Sequence, residues 1–232
     1  MSDQIKHECA VTLLRLRHGV DYYLRKYGTA WYGFQKLALM LEKQHNRGQD
    51  GAGIACVGLD PEPGTPCYQL EKSNHPPCLA DLLEKIGKTV PDEPSTPLPG
   101  DGMKRHYPFC GELYLGHLRY GTFGRSGLNA CHPFVHENAC LDRTLLLAGN
   151  FNLTDTAEIF RILQATGHHP SSRQDGALIL QLISHSLEQM RDQKQHNFSL
   201  AEVLTRAIRN FDGAYTPVSY THLRAHETSQ DL

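Results

Sequence analysis

The stretch QHNRGQDGAGI, residues 44–54, places a polar, glycine-rich turn between two apolar segments. Before it, apolar residues recur at helical spacing between residues 30 and 45, which predicts an amphipathic helix that ends in the turn. After it, the run GAGIACVGL from Gly51 predicts a buried strand. This stretch therefore indicates a domain that mixes helices with strands.

Three further apolar runs predict strands. CAVTLLRL, residues 9–16, is rich in Val, Thr and Leu, so we expect a strand that begins at Cys9. ELYLGHLRYGTFG, residues 112–124, and TLLLAGNFNL, residues 144–153, each run from apolar residues into a polar segment that contains glycine. Each of these two predicts a strand that delivers a loop to a site.

The rest of the chain contains a proline-rich segment and a helical segment. Residues 60–110 carry most of the prolines and one short helical pattern near residues 79–86, so we expect a long surface insertion. Helices are predicted from near residues 154–155, from Asp175, and over residues 200–210.

Composition bounds the class of protein. The 232 residues are 40% hydrophobic and 21% charged with a formal net charge of −2, which is typical of one soluble globular domain. This balance gives no electrostatic reason to expect nucleic acid or an anionic membrane as a partner. No window approaches the roughly 18 apolar residues of a membrane span, and the polar start lacks a secretory signal. We therefore expect a cytoplasmic protein.

The cysteines argue against disulfides and metal. There are seven, an odd number, and no two form a Cys-x-x-Cys pair. Cys131-His132 with nearby Cys140 matches no standard ligand set. We expect free thiols and no metal site.

Four segments together carry a resemblance to a known family. They are HECAV, QHNRGQDGAGI, GHLRYGTFG, and AGNFNLTD with RQDGAL downstream. In this order they resemble the class II glutamine amidotransferase domain, the N-terminal nucleophile type of glutaminase. HNRGQDGAG and the glutamate before the cysteine are most similar to the amidophosphoribosyltransferases, which catalyse the first committed step of purine synthesis. The resemblance extends to Tyr215 and implies an α+β fold, a four-layer αββα sandwich truncated at its C-terminus.

The reaction explains the residue types. Hydrolysis of a glutamine side-chain amide needs a nucleophile, a base, oxyanion donors and a grip on the amino-acid end of the substrate. The resemblance implies that Cys9 is the nucleophile, forming a thioester, and that its own α-amino group, with a pKa of about 7.7–8.0, is the base. An amide nitrogen cannot take that role. Residues 1–8 are therefore predicted to be a propeptide that is cleaved between Glu8 and Cys9.

For the oxyanion hole, the family uses an Asn side chain and the next backbone N–H in an Asn-Gly-Asn-Leu string. The matching string here is NFNL, residues 150–153, so the resemblance implies donors from Asn150 and Phe151. Phe151 replaces glycine and limits the backbone angles of the expected loop. Ala10 also replaces the glycine that usually follows the nucleophile, and its methyl is expected to crowd the approach of substrate.

Four side chains are predicted to bind substrate. Arg119 presents a planar fork suited to the α-carboxylate of glutamine, with the Thr122 hydroxyl as a nearby donor. Asp175 would accept from the α-ammonium group, and a helix N-cap is its alternative role. Arg47 matches the arginine that lies against the nucleophile in the family.

The resemblance also sets domain limits and partners. We expect the glutaminase domain over residues 9–216, incomplete at its C-terminus, and a non-native tail over residues 217–232, where the sequence is polar without a useful period. We expect this chain to be a fragment that lacks the phosphoribosyltransferase domain of the full enzyme. Mg²⁺ is expected only in that domain, so we expect no cofactor in this chain. Expected partners are glutamine and the missing acceptor domain with phosphoribosyl pyrophosphate, within a homo-oligomeric full-length enzyme.

Several alternatives stay open. Glucosamine-6-phosphate synthase, glutamate synthase and asparagine synthetase carry related glutaminase domains, although the leader before Cys9 argues against those that begin at a cysteine directly after the initiator Met. A catalytically silent glutamine-binding module is favoured by Ala10 and Phe151. An amide hydrolase of the same fold with another substrate would need a different grip. The histidines at 45, 117 and 132 are predicted to be structural, since the mechanism needs no imidazole.

Overall fold

The structure is a computed structural model that describes residues 8–92, 96–98, 102–121, 127–193 and 198–222. The chain divides into two compact units, Met1–Pro133 and Phe134–Leu232. No helix within the described ranges is long and apolar enough to cross a membrane.

The first unit is built on a four-stranded antiparallel sheet in the order β1-β4-β2-β3. Its strands are β1 (Ala10–Arg15), β2 (Gly51–Val57), β3 (Tyr68–Ser73) and β4 (Leu113–Arg119). Its helices are α1 (Val20–Tyr27), α2 (Tyr32–Lys43), α3 (Cys78–Thr89) and α4 (Gly102–His106), with a 3₁₀ turn at Leu128–Ala130. The strands predicted from residue 9, from Gly51 and from residue 112 are all present.

Helix α2 packs on β1 and β4 as its apolar spacing predicts. Leu37 and Leu41 are fully buried, and Leu41 lies against Gly116 of β4, where a side chain would leave no room. Gly33 similarly makes space for the ring of Tyr114. Helix α2 therefore covers one face of the sheet at β1, the strand that follows Cys9.

The prediction that residues 60–110 form a surface insertion is wrong for residues 68–89. Strand β3 pairs with β2, and α3 packs on both strands and buries Leu82 and Ile86 completely. The prolines around these two elements suggested a loop, but they lie outside β3 and α3 and interrupt neither. Leu82 and Ile86 recur at helical spacing, so the short pattern seen near residues 79–86 was the core face of a longer helix.

The second unit holds a three-stranded antiparallel sheet in the order β5-β6-β7. Its strands are β5 (Phe134–His136), β6 (Leu145–Leu153) and β7 (Gly213–Thr221). Its helices are α5 (Thr156–Ala165), α6 (Asp175–Asp192) and α7 (Leu200–Ala207), with 3₁₀ turns at Leu141–Arg143 and Ile208–Asn210. All three predicted helices are present, and Ser199 with Glu202 forms a capping box at the start of α7.

The chain beyond residue 216 was expected to be a non-native tail, because its sequence is polar without a useful period. Residues 217–221 instead continue β7 and pair with residues 145–149 of β6. Thr221 is buried, and its hydroxyl donates to the Asp142 carbonyl at 3.1 Å. Backbone pairing does not require an apolar period, so a polar sequence can extend a strand beside a buried neighbour. The non-native origin of residues 217–232 stays a prediction, and residues 223–232 lie outside the described ranges.

Candidate active site

Cys9 stands directly before β1, as predicted. The pairing of Ala10 with Leu118 puts Cys9 one step further along the ladder, beside Arg119 and Tyr120. The half-buried Cys9 Sγ lies 3.4 Å from the Tyr120 backbone N and 3.8 Å from the Tyr120 carbonyl oxygen. Antiparallel pairing therefore brings two residues of distant sequence position, Cys9 and Arg119, to the same end of the sheet.

The Arg119 guanidinium is folded against Gly121. A Cβ at Gly121 would stand 2.9 Å from one terminal nitrogen of Arg119, so the glycine leaves space for the fork. Among the residues that the structure describes, no carboxylate lies within 4 Å of this guanidinium. Its positive charge stabilises the Cys9 thiolate and by itself lowers the pKa of the thiol. Arg119 thus offers a cationic fork next to the sulfur.

Burial nevertheless raises the pKa of Cys9 above its ordinary value. Desolvation of the thiolate outweighs the lowering effects of the Tyr120 backbone hydrogen bond and of the Arg119 charge, and the Asp50 carboxylate adds to the rise. At neutral pH the sulfur therefore keeps its proton. A nucleophilic role requires a base that removes this proton during the reaction.

Asp50 connects the two polar segments around Cys9. Its backbone N–H donates to the Arg119 carbonyl at 2.9 Å, and its carboxylate accepts from the Gly121 N–H at 2.8 Å. The acidic residue of the turn at residues 44–54 therefore holds the chain that follows β4. Thr122, the predicted donor beside Arg119, lies outside the described residues.

Arg47 binds Glu8 rather than Cys9. Its guanidinium pairs with the Glu8 carboxylate at 2.6 Å, and its carbonyl accepts from the Glu8 backbone N–H at 3.1 Å. The neighbouring Gly48 lies against the backbone of Leu118, where a Cβ would stand 2.6 Å from the carbonyl oxygen. Sequence reasoning missed the Glu8–Arg47 pair, although the acid before the cysteine was a visible signal. Residues 1–7 of the predicted propeptide lie outside the described ranges.

Ala10 does not crowd an open surface. Its side chain is buried in the hydrophobic core of the first unit, together with Leu118 and Ala52. Successive side chains of a strand point to opposite faces, so the methyl of Ala10 and the sulfur of Cys9 face different sides. The concern that this methyl obstructs substrate is therefore wrong.

The string NFNL was expected in a loop, but it lies within β6 of the second unit, paired with residues 213–216 of β7. The ladder continues to Thr154, whose N–H donates to the Asp212 carbonyl at 3.0 Å. Because hydrogen bonds alternate along an antiparallel pair, the N–H groups of Phe151 and Leu153 point away from β7. The Asn150 side chain is exposed.

Phe151 is accommodated by glycines. Its ring lies where a Cβ of Gly149 would stand, and close to Gly176 in the first turn of α6. The ring packs on the core of the second unit, on the face of β6 opposite to Asn150. Gly149 and Gly176 thus leave the space that the Phe151 ring needs at a position where the family has glycine.

Asp175 is the first residue of α6, as predicted, and Gln174 rather than Asp175 is the N-cap. Its carboxylate accepts from the Leu153 backbone N–H at 2.8 Å. Asp175 therefore lies at the edge of β6 toward which the N–H groups of Leu153 and Phe151 both point.

The histidines show no arrangement with a nucleophile. His117 and His132 are buried and stack with their ring centroids 4.1 Å apart. Burial, with the neighbouring His117, holds the pKa of His132 well below its ordinary value, so the ring is neutral. His45 is exposed and contacts the Glu42 carbonyl at 2.6 Å. Within the described part of the chain, no group of three or more His, Cys, Asp or Glu residues could hold a metal ion.

Comparison with known proteins places this geometry in context. No protein-family model matches the chain. The amidophosphoribosyltransferase of Escherichia coli is 26% identical over 177 residues, which cover 76% of this chain and 29% of that protein. The glutamine–fructose-6-phosphate aminotransferase of Francisella tularensis is 25% identical over 175 residues, which cover 75% of this chain and 22% of that protein.

A solved structure shares the fold of this chain. The glutamine phosphoribosylpyrophosphate amidotransferase of B. subtilis superposes with a TM-score of 0.58 at 17% identity, covering 92% of this chain and 35% of that chain. In sequence, this chain is similar to the class II glutamine amidotransferases. The likeness to the solved structure confirms the predicted α+β fold. The chain spans 22%, 29% and 35% of the lengths of the three proteins it was compared with.

Proposed function

We propose that this chain is the glutaminase part of an amidophosphoribosyltransferase. Glutamine would be hydrolysed to glutamate and ammonia, and the ammonia would pass to phosphoribosyl pyrophosphate bound to a domain outside this chain, as the first step of purine synthesis. The observation that carries the proposal is the position of Cys9 opposite Arg119 where β1 meets β4, with the Arg119 charge acting on the sulfur. In the described part of the chain, no carboxylate lies within ion-pair distance of the Arg119 guanidinium.

The chemistry follows from these two groups. The Arg119 fork would bind the α-carboxylate of glutamine and hold the substrate beside the sulfur. Sγ would attack the side-chain amide carbon, and its proton would pass through the Cys9 α-amine to the departing nitrogen, which leaves as ammonia. Water would then hydrolyse the thioester to glutamate and free thiol. The raised pKa of Cys9 fits this route, because a protonated thiol needs that amine as base.

Residues of the second unit enter the proposal through the resemblance. The Asn150 amide and the Phe151 N–H would donate to the oxyanion, and Asp175 would accept from the α-ammonium group of glutamine. Asp175 already accepts the Leu153 N–H through Oδ2, so its second oxygen is assigned to the substrate. In the mature protein Arg47 would lose its Glu8 partner and could contact substrate.

A second candidate is the glutaminase part of a glutamine–fructose-6-phosphate aminotransferase. It is supported by the 25% identity over 175 residues to the Francisella tularensis enzyme, close in extent to the 177 residues matched by the Escherichia coli amidophosphoribosyltransferase. Both candidates share the glutamine chemistry and differ in the acceptor of ammonia. The burial of the Ala10 methyl in the core removes one of the two features that favour a catalytically silent module.

Glutamine hydrolysis by the purified chain tests the proposal. Glutamate release should be measurable in protein that has lost residues 1–8 and should be lost in Cys9→Ser. Cys140→Ser, which removes an exposed thiol, is the matched control and should keep the activity. Hydrolysis that persists in Cys9→Ser would refute the assignment of the nucleophile.

A further inference from the structure

A groove on the first unit lies outside the proposed site. It has a volume of about 710 Å³ and runs between β1, α1 and α2. Strand β1 is an edge strand of its sheet, so the groove borders backbone that no described strand pairs. None of the proposed catalytic or substrate-binding residues lines it.

The floor of the groove is apolar and partly aromatic. Tyr23 and Tyr32 stack with their ring centroids 4.8 Å apart and form a rigid base. Leu39 and Met40 of α2 line the groove while remaining 51% and 41% exposed. Large apolar side chains that stay this exposed beside one another typically mark an interaction surface.

The rim of the groove is basic. Arg15 and Arg17 stand on the β1 side, and Lys36 and Lys43 stand on α2. All four are exposed, and none has a carboxylate within ion-pair distance among the described residues. No acidic residue lines the groove, although the whole chain carries a net charge of −2. The local charge is thus opposite in sign to that of the protein.

We propose that this groove binds an acidic segment of a partner polypeptide whose apolar side chains insert between β1 and α2. Carboxylates that flank those side chains would meet the four cations, and the apolar side chains would cover Leu39 and Met40. The β1 edge beside the groove, with which no described strand pairs, favours a polypeptide over a lipid surface, because a peptide backbone can hydrogen-bond to an edge strand and a lipid tail cannot. A small anion would use the cations and leave the apolar floor uncovered.

The test uses the full chain and two fluorescent peptides. One is an amphipathic peptide of about fifteen residues with leucine on one face and glutamate on the other, and its partner has lysine in place of glutamate. Fluorescence anisotropy should show saturable binding of the acidic peptide, weakened by salt, and at least about tenfold weaker binding of the basic one.

Variants assign the binding to the groove. The double variant Lys36→Glu/Lys43→Glu should bind the acidic peptide about tenfold more weakly or worse. The double variant Leu39→Ser/Met40→Ser leaves the charge unchanged and should weaken binding of the same peptide by several-fold. Lys85→Glu/Lys88→Glu on α3 carries the same charge change away from the groove and should alter binding by less than about twofold. Circular dichroism verifies that each variant is folded.

Several outcomes would overturn the proposal. These are absence of saturable binding of the acidic peptide, equal binding of the basic peptide, and insensitivity to the groove variants. If vesicles of phosphatidylserine and phosphatidylcholine bind through the same residues while the acidic peptide does not, the surface is a membrane contact. If the groove variants abolish self-association instead, the occupant is a second copy of the chain.

Discussion

At the scale of single residues, the sulfur of Cys9 is controlled by three neighbours of different sign. Burial raises its pKa, the Tyr120 N–H and the Arg119 charge lower it, and the Asp50 carboxylate raises it. The sum keeps the thiol protonated at neutral pH. This state suits a nucleophile whose base is the amine of the same residue, and it leaves the thiol slow toward reagents that need a thiolate.

These opposing effects on the Cys9 pKa predict how the rate of Cys9 alkylation depends on pH. In the full chain, the midpoint for iodoacetamide should lie above the ordinary value of a free cysteine, because the reactive thiolate forms only above the raised pKa. Arg119→Ala should move the midpoint further up, and Asp50→Asn should move it down. Mass spectrometry of the Cys9 peptide gives the rates. A midpoint below that of a free cysteine would contradict this account.

The Glu8–Arg47 pair predicts an effect on maturation. Because it ties the residue on the amino side of the expected cleavage bond to the turn at residues 44–54, Arg47→Ala should slow loss of residues 1–8. The slowing should be at most about fivefold, since a half-exposed ion pair contributes only ~0.2–1 kcal/mol. The exchange Glu8→Arg/Arg47→Glu should restore part of the rate. Intact mass against time measures it, and unchanged rates in Arg47→Ala would exclude this role.

At the scale of elements, β6 and α6 depend on small residues around Phe151. A methyl at Gly176 would meet the rings of Phe134 and Phe151, which are held in the core of the second unit. Overpacking of this kind costs about 1–3 kcal/mol, more than the ~1 kcal/mol that alanine gains over glycine in a helix. Gly176→Ala should therefore lower the free energy of unfolding, measured in urea. Gly87→Ala, where a Cβ meets nothing, is the control and should stabilise α3.

Strand β7 gives a second prediction at this scale. A chain that ends at residue 216 loses the pairing of residues 217–221 with β6, so its free energy of unfolding should fall by more than ~1 kcal/mol. A chain that ends at residue 222 keeps every described contact and is the matched control. Equal thermal stability of the two chains would show that residues 217–221 add nothing to the sheet.

The elements that sequence reasoning found were those with an unambiguous period. Helix α2 buries one regular face, and the apolar stripe of α6 lies in the core of the second unit, although α6 is buried on further sides as well. The apolar runs of β2 and β4 are buried throughout, so local pattern matched tertiary burial. Strand β3 was missed because its residues are only partly buried and prolines lie nearby. The NFNL string was placed in a loop because its polar residues hid the pairing with β7, which depends on a distant segment.

At the scale of the whole molecule, the candidate site residues were predicted from the order of the motifs, and the contacts that Cys9 and Arg119 make required the fold. The proximity of Cys9 to Arg119 follows from the pairing of β1 with β4, which no local pattern encodes. The anchoring of Gly121 by Asp50 likewise has no signal in the sequence, and Glu8 could be seen before Cys9 while its pairing with Arg47 could not. Glutamine as substrate stays a proposal, and the contacts around Cys9 supply the residues with which to test it.

The most direct test of the central claim is covalent capture of Cys9 by a glutamine analogue that carries a diazoketone, followed by intact-mass and peptide mapping. We predict one adduct per chain, on Cys9, in protein that has lost residues 1–8, with much slower capture in Arg119→Ala. The exposed thiol of Cys140 should react with a simple thiol reagent and stay unmodified by the analogue. Equal labelling of Cys9 and Cys140 by the analogue, or capture unaffected by Arg119→Ala, would contradict the account.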